Sequence, residues 1–223
     1  MSFINQLKIE LEAQADSNNA LQMQAYMKDL FPFFGVKAPI RKNLLKKVLI
    51  SNKNEVADNC RDIVSELYEY SSREYQYCAI EIASKFLKNK YLESDFEFIK
   101  NLITNKPHWD TVDFIAKHIL GNYLLQFWDN RHSYVDILSN SDHMWLNRSV
   151  ILFQLGYKSK TDATILYREC KVHANSNAFF IQKAIGWALR AYGKTNPQSV
   201  IDFVSNTDLK PLSKREALKR LQI

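Results

Sequence analysis

The sequence predicts an all-α protein, a right-handed solenoid of about six helix-pair repeats with a concave basic groove. Three observations carry this reading. Glycine and proline are sparse, five of each in 223 residues. Apolar residues recur at i, i+3, i+4 and i+7, the spacing of one face of an α-helix. The chain also repeats itself: Gln76-Tyr-Cys-Ala-Ile, Thr111-Val-Asp-Phe-Ile, Asn147-Arg-Ser-Val-Ile and Gln182-Lys-Ala-Ile-Gly share one register at steps of 35, 36 and 35 residues. A period near 35 residues is that of a two-helix unit, which buries its apolar face only by stacking on its neighbours.

Weaker copies lie one step outward, at Arg41-Lys-Asn-Leu-Leu and Arg215-Glu-Ala-Leu. The first helix of each pair is expected near residues 56–68, 96–103, 134–138, 163–170 and 200–204. Capping boxes are written at Ser71 to Glu74, Ser94 to Glu97 and Ser213 to Glu216, and Pro197 after Asn196 suits a first helical position. N-terminal helices over about 1–36 precede the repeats. No Ser-, Gly- or Pro-rich linker interrupts the period, so one domain over 1–223 is expected.

A hydrophobic content of 46% supports a real core, and a net charge of +6 suits a polyanionic partner without naming one. The excess is concentrated from Lys183 onward, where eight bases (Lys183, Arg190, Lys194, Lys210, Lys214, Arg215, Lys219 and Arg220) face only Asp202, Asp208 and Glu216. In the repeat register Lys42, Arg148 and Lys183 fall on one shared surface. Three cysteines without a CxxC pair argue against a disulfide framework or zinc module and fit a reducing, cytoplasmic compartment. There is no HExxH, no GxGxxG or GxxxxGK[ST] loop, no signal-like N-terminus and no bilayer-length apolar run. No metal, nucleotide cofactor or membrane is therefore expected.

After Pro107, Trp109 and Asp113 stand four apart on one helix face, while Asp110 points about 100° away from Trp109. Arg148 matches Val112 in the register, one repeat along, and Trp187 lies five residues past Gln182. Taken singly, each has an ordinary reading: Trp109 and Trp187 as core, Asp110 as a cap or dipole partner, Arg148 as a solvated or salt-bridged base. Together, two indoles, a carboxylate and an arginine on one basic groove resemble a site.

Trp109-Asp-Thr-Val-Asp113, Trp145-Leu-Asn-Arg148-Ser-Val-Ile-Leu-Phe-Gln-Leu155, Phe180-Ile-Gln-Lys-Ala-Ile-Gly-Trp187-Ala-Leu-Arg-Ala-Tyr192 and Pro211-Leu-Ser-Lys-Arg-Glu-Ala217 resemble the DNA alkylation repair family of HEAT-like-repeat glycosylases, the AlkD type. The likeness covers nearly the whole chain. It implies monofunctional removal of positively charged N3- and N7-alkylated purines from duplex DNA, leaving an abasic site, without cofactor or metal and without a tight base-flipping pocket. It implies Asp113 as the catalytic carboxylate, Trp109 and Trp187 as indoles against the lesion's sugar, and Arg148 as a phosphate contact. Ala25-Tyr26-Met27-Lys28 resembles the family's N-terminal DNA-contacting element, so Tyr26 is either a DNA contact or a helix-packing residue. His108 stands where some relatives carry an aromatic residue.

Lys42, Lys183, Arg190, Lys194, Lys214 and Arg215 complete the expected DNA-binding set. A groove that admits duplex favours a monomer. Two other readings use the same solenoid: a non-catalytic binder of branched or bent DNA, and a protein-interaction scaffold for an acidic peptide.

Overall fold

A computed structural model describes residues 1–219 and 221, and Arg220, counted above among the C-terminal bases, lies outside the described residues. Among the described residues every regular element is helical. Contacts cluster into two compact units, Met1–Lys90 and Tyr91–Ile223. No Gly-, Ser- or Pro-rich stretch marks the division.

The first unit holds α1 (Phe3–Ala13), α2 (Ser17–Tyr26), α3 (Ala38–Ser51), α4 (Lys53–Asp58), α5 (Cys60–Glu69) and α6 (Arg73–Phe86). Its core is built from fully buried residues such as Leu7, Val48, Leu67 and Ile82. The second unit holds α7 (Asp95–Thr104), α8 (Trp109–Phe114), a π-helical segment (Ile115–Leu120), α9 (Gly121–Gln126), α10 (Arg131–Ser139), α11 (Met144–Leu152), α12 (Ala163–Val172), α13 (Phe179–Gly193), α14 (Pro197–Ser205) and α15 (Pro211–Leu218). Within it α8 packs on α11, α11 on α13 and α13 on α15.

The amide residue that opens three of the four repeat registers has a recurrent physical job, while Thr111 donates its hydroxyl to the His108 carbonyl in its own turn. The Gln76 side-chain amide donates to the carbonyls of Leu67, Tyr68 and Tyr70, and the Asn147 amide to those of Leu138, Ser139 and Ser141. Both sets lie nine, eight and six residues upstream, and Gln182 repeats the last of them by donating to Ser176 at 3.1 Å. At Gln76 and Asn147 the second helix of a pair thus satisfies orphan carbonyls that end the first, a need every helix C-terminus has, whereas Gln182 ties only the turn after Val172. An amide recurs at this register position because the turn before it must be tied.

None of the three capping boxes forms. The N-cap of α6 is Ser72 and makes no side-chain cap. Glu74, fully buried, instead accepts from the N–H groups of Phe34, Gly35 and Val36 at 3.1, 3.0 and 3.1 Å. Three convergent buried donors outweigh the single N–H a box would offer. Ser94 is helical and uncapped while the Asp95 carboxylate accepts from Leu92 N–H. Ser213 lies inside α15 and donates to the Gln182 carbonyl, and Glu216 binds Lys183 and Arg190. The Asn196–Pro197 start holds: the Asn196 side chain caps Ser199 N–H with Pro197 at the first helical position. Glu74→Ala should cost on the order of 3 kcal/mol by orphaning three buried N–H groups, read as a lower denaturant midpoint.

The π-helical segment follows Asp113 closely. A π turn holds one residue more than an α turn, and the single 36-residue step of the repeat spans it. It is pinned at its end, where a Cβ on Gly121 would stand 2.5 Å from the Phe153 carbonyl oxygen and the Tyr157 hydroxyl donates to the Gly121 carbonyl.

Candidate active site

The candidate site lies within the second unit, on α8, α11 and α13. Lys106 adopts a left-handed backbone (φ 47°) and His108 is extended, so the chain reverses sharply around Pro107 and starts α8 at Trp109. Asp113 is then one turn in. From α11, Arg148 meets it in a bidentate ion pair, Nε to Oδ1 at 2.7 Å and Nη2 to Oδ2 at 2.9 Å. The third contact of the guanidinium is Nη1 donating to the Phe180 carbonyl on α13, and its carbon lies 5.8 Å from the Phe180 ring centroid. The Arg148 and Asp113 side chains are 5% and 15% exposed.

Arg148 is thus a salt-bridged base, one of the ordinary readings of it. Three of its five donors are spent on Asp113 and Phe180. Any phosphate contact must draw on the remaining two.

Burial pushes the Asp113 carboxyl above its ordinary range, the Arg148 hydrogen bonds and charge pull it back, and neighbouring Asp110 pushes it up again. The net direction is upward. Proton binding is therefore tighter in the folded chain than in the unfolded one. Through this group stability is fullest below the unfolded pKa and declines as pH rises through the folded value. A reaction that needs the carboxylate should show an acid limb above the value of an exposed aspartate, with no acid unfolding in that window through Asp113. Single-turnover rates and circular dichroism across the same pH series check both statements.

Aromatic rings gather at the same helix starts. His108 stands 6.2 Å from Trp109, 5.7 Å from Trp145 and 5.6 Å from Phe180 between ring centroids, and Trp145 stands 5.0 Å from Phe180. Trp145 and His108 are buried, Trp109 is half-buried, and Asp110 is 3.8 Å from His108 Nδ1. Trp187 keeps 37% of its surface exposed, seven residues beyond Phe180 and so two turns along the same helix face. The structure brings Asp113 and Arg148 into contact, sets Trp109 beside His108 and places Trp187 further along α13. Sequence reasoning does not single out Phe180 and Trp145 as site residues, although each opens one of the strings that carry the family likeness. Their apolar chemistry reads as core.

The expected DNA-binding residues differ in exposure and in ion pairing. Tyr26 is 70% exposed at the end of α2, and Lys42 is exposed on α3. Lys183 and Arg190 both reach Glu216, at 3.2 and 2.7 Å, and together hold its carboxyl down at about 2. Lys194 and Arg215 are exposed and Lys214 is half-buried. Among the described residues no group of three His, Cys, Asp or Glu side chains could hold a metal ion, and no helix is long and apolar enough to cross a membrane.

No curated protein matches the chain. A solved structure described as a predicted DNA alkylation repair enzyme from Enterococcus faecalis is similar, with 33% sequence identity and a TM-score of 0.86. The match covers 93% of this chain and 97% of that one. The family model described as DNA alkylation repair enzyme matches residues 7–221. On both grounds the chain belongs to the DNA alkylation repair enzyme family.

Proposed function

We propose that the chain is a monofunctional alkylpurine DNA glycosylase, hydrolysing the N-glycosidic bond of positively charged N3- and N7-alkylated purines in duplex DNA. The observation that carries this reading is Asp113, a desolvated carboxylate oriented by both arms of Arg148 and flanked on α8 by Trp109. An N3- or N7-alkylated purine already bears a positive charge, so the base leaves as a neutral molecule with the bonding electron pair and no acid is required. Positive charge passes to the deoxyribose as the bond lengthens. Asp113 stabilises that cation-like sugar and orients the water whose oxygen bonds to the anomeric carbon, taking up its proton.

Arg148 positions Asp113 by a charge-assisted fork and offers its remaining donors to a backbone phosphate. The indoles of Trp109 and Trp187 add cation–π attraction, roughly 0.5 to 2 kcal/mol each. Tyr26, Lys42, Lys183, Arg190, Lys194, Lys214 and Arg215 hold the duplex, in which the lesion stays stacked, and selectivity comes from charge and bond lability. No lysine stands between Trp109 and Asp113 to form a Schiff base, so the product is an abasic site in an intact strand. The test is release of 7-methylguanine and 3-methyladenine from methylated duplex: rates above spontaneous loss support the reading. Tight binding of the duplex with release at the spontaneous rate would sink it in favour of a non-catalytic DNA binder.

A further inference from the structure

We propose that the first unit carries a second docking site for the DNA backbone, a lysine-rimmed pocket at the C-terminal ends of α3 and α6 that is independent of any lesion. This inference rests on the family's DNA substrate and goes beyond the site at Asp113. The pocket is open, with a volume of about 480 Å³, and Lys46, Lys53, Lys85, Lys88 and Lys90 all line it. They arrive from separate elements: α3, the start of α4, the last turn of α6 and the turn after it. All five are exposed, and none has a carboxylate within ion-pair distance among the described residues. Elsewhere in the unit Arg41 meets Glu81 and Lys47 meets Glu10, so cations there do find acids.

One lysine in a last helical turn is explained by the helix dipole. Five converging on one concavity are not, because their mutual repulsion destabilises the free protein and a bound polyanion relieves it. The turn that displays two of them is built. Lys90 N–H donates to the Leu87 carbonyl at 2.8 Å, buried Leu87 anchors it, and Asn89 takes the left-handed conformation (φ 61°) that asparagine tolerates. Leu49 and Phe86 floor the pocket, and the Lys85 ammonium stands 5.6 Å from the Phe86 ring centroid. An apolar floor keeps water from solvating the lysine stems while their heads stay available. In a chain of this family the polyanion at hand is DNA, and ammonium groups without acidic partners suit phosphodiester groups, each a single anion whose counterion a lysine replaces.

The experiment measures binding of the full chain to undamaged duplex by fluorescence anisotropy across a salt series. Because no base is released from such DNA, the outcome does not depend on the glycosylase reading, which stands or falls on methylpurine release. Lys85→Gln with Lys88→Gln should lower the slope of log affinity against log salt by about two, near 0.9 for each phosphate that is no longer neutralised. A control pair in the other unit, Lys160→Gln with Lys171→Gln, changes net charge equally and should move the slope far less. The pocket variant should melt no lower than wild type, since the change relieves repulsion. An unchanged slope, or equal slopes for both pairs, overturns the proposal. So does loss of polyglutamate binding by the pocket variant with DNA binding intact, which would assign the pocket to an acidic protein segment.

Discussion

For the proposed glycosylase, Asp113→Asn is expected to lower methylpurine release by at least about 10² to 10³-fold, toward the spontaneous rate, with affinity for the duplex nearly retained. The size follows from removing a preorganised charge aimed at a developing cation. Shape is conserved, so the loss belongs to the charge. The ion pair dictates a second expected result: the amide that replaces the carboxylate keeps one oxygen for Arg148 but turns an N–H₂ toward the other donor. Arg148, only 5% exposed in its side chain, then holds a charge without its counter-ion. Removing one partner of a buried pair costs about 3 to 5 kcal/mol at the upper end. A thermal midpoint several degrees below wild type should accompany the rate loss, and rates must be measured well below it. Wild-type rates in this variant would remove Asp113 from the chemistry.

Arg148→Ala has the second large effect, and its pattern separates positioning from phosphate contact. The substitution deletes both hydrogen bonds to Asp113 and the one to the Phe180 carbonyl. It leaves a desolvated carboxylate without its cation, so a stability loss of about 3 to 5 kcal/mol is expected. Both effects of Arg148 on the Asp113 carboxyl pull its pKa down, against burial and Asp110. Without them the acid limb of base release moves up toward neutrality. Activity should therefore fall most at low pH and recover in part as pH rises. A pure phosphate contact gives a different signature: a slope of log affinity against log salt reduced by about one, with an unmoved pH limb. An unmoved limb with that reduced slope would return Arg148 to the phosphate alone.

How much of this is legible in the chain depends on the range of the interaction that decides it. The helix pairs are readable because periodicity is local: the first helices expected near 96–103, 163–170 and 200–204 are α7, α12 and α14. The stretch over 56–68 does not read as two helices, because the break at Asn59 is a backbone turn within an otherwise amphipathic pattern. Capping boxes fail for a tertiary reason. Ser-x-x-Glu is a local signal, but Glu74 finds three N–H groups 38 to 40 residues upstream and Glu216 finds two cations on α13.

The candidate site divides in the same way. The face that holds Trp109 with Asp113, the register that carries Arg148 one repeat along, and the family likeness are properties of sequence order, and sequence alone determined them. Spacing places a residue on a helix face but not at a distance from another helix. Only the tertiary structure decided that Arg148 turns inward to grip Asp113, that Phe180 completes the grip through its carbonyl, and that Lys183 and Arg190 spend charge on Glu216. The inward turn of Arg148 is enforced by burial, since a guanidinium taken out of water must find its acceptors inside the protein.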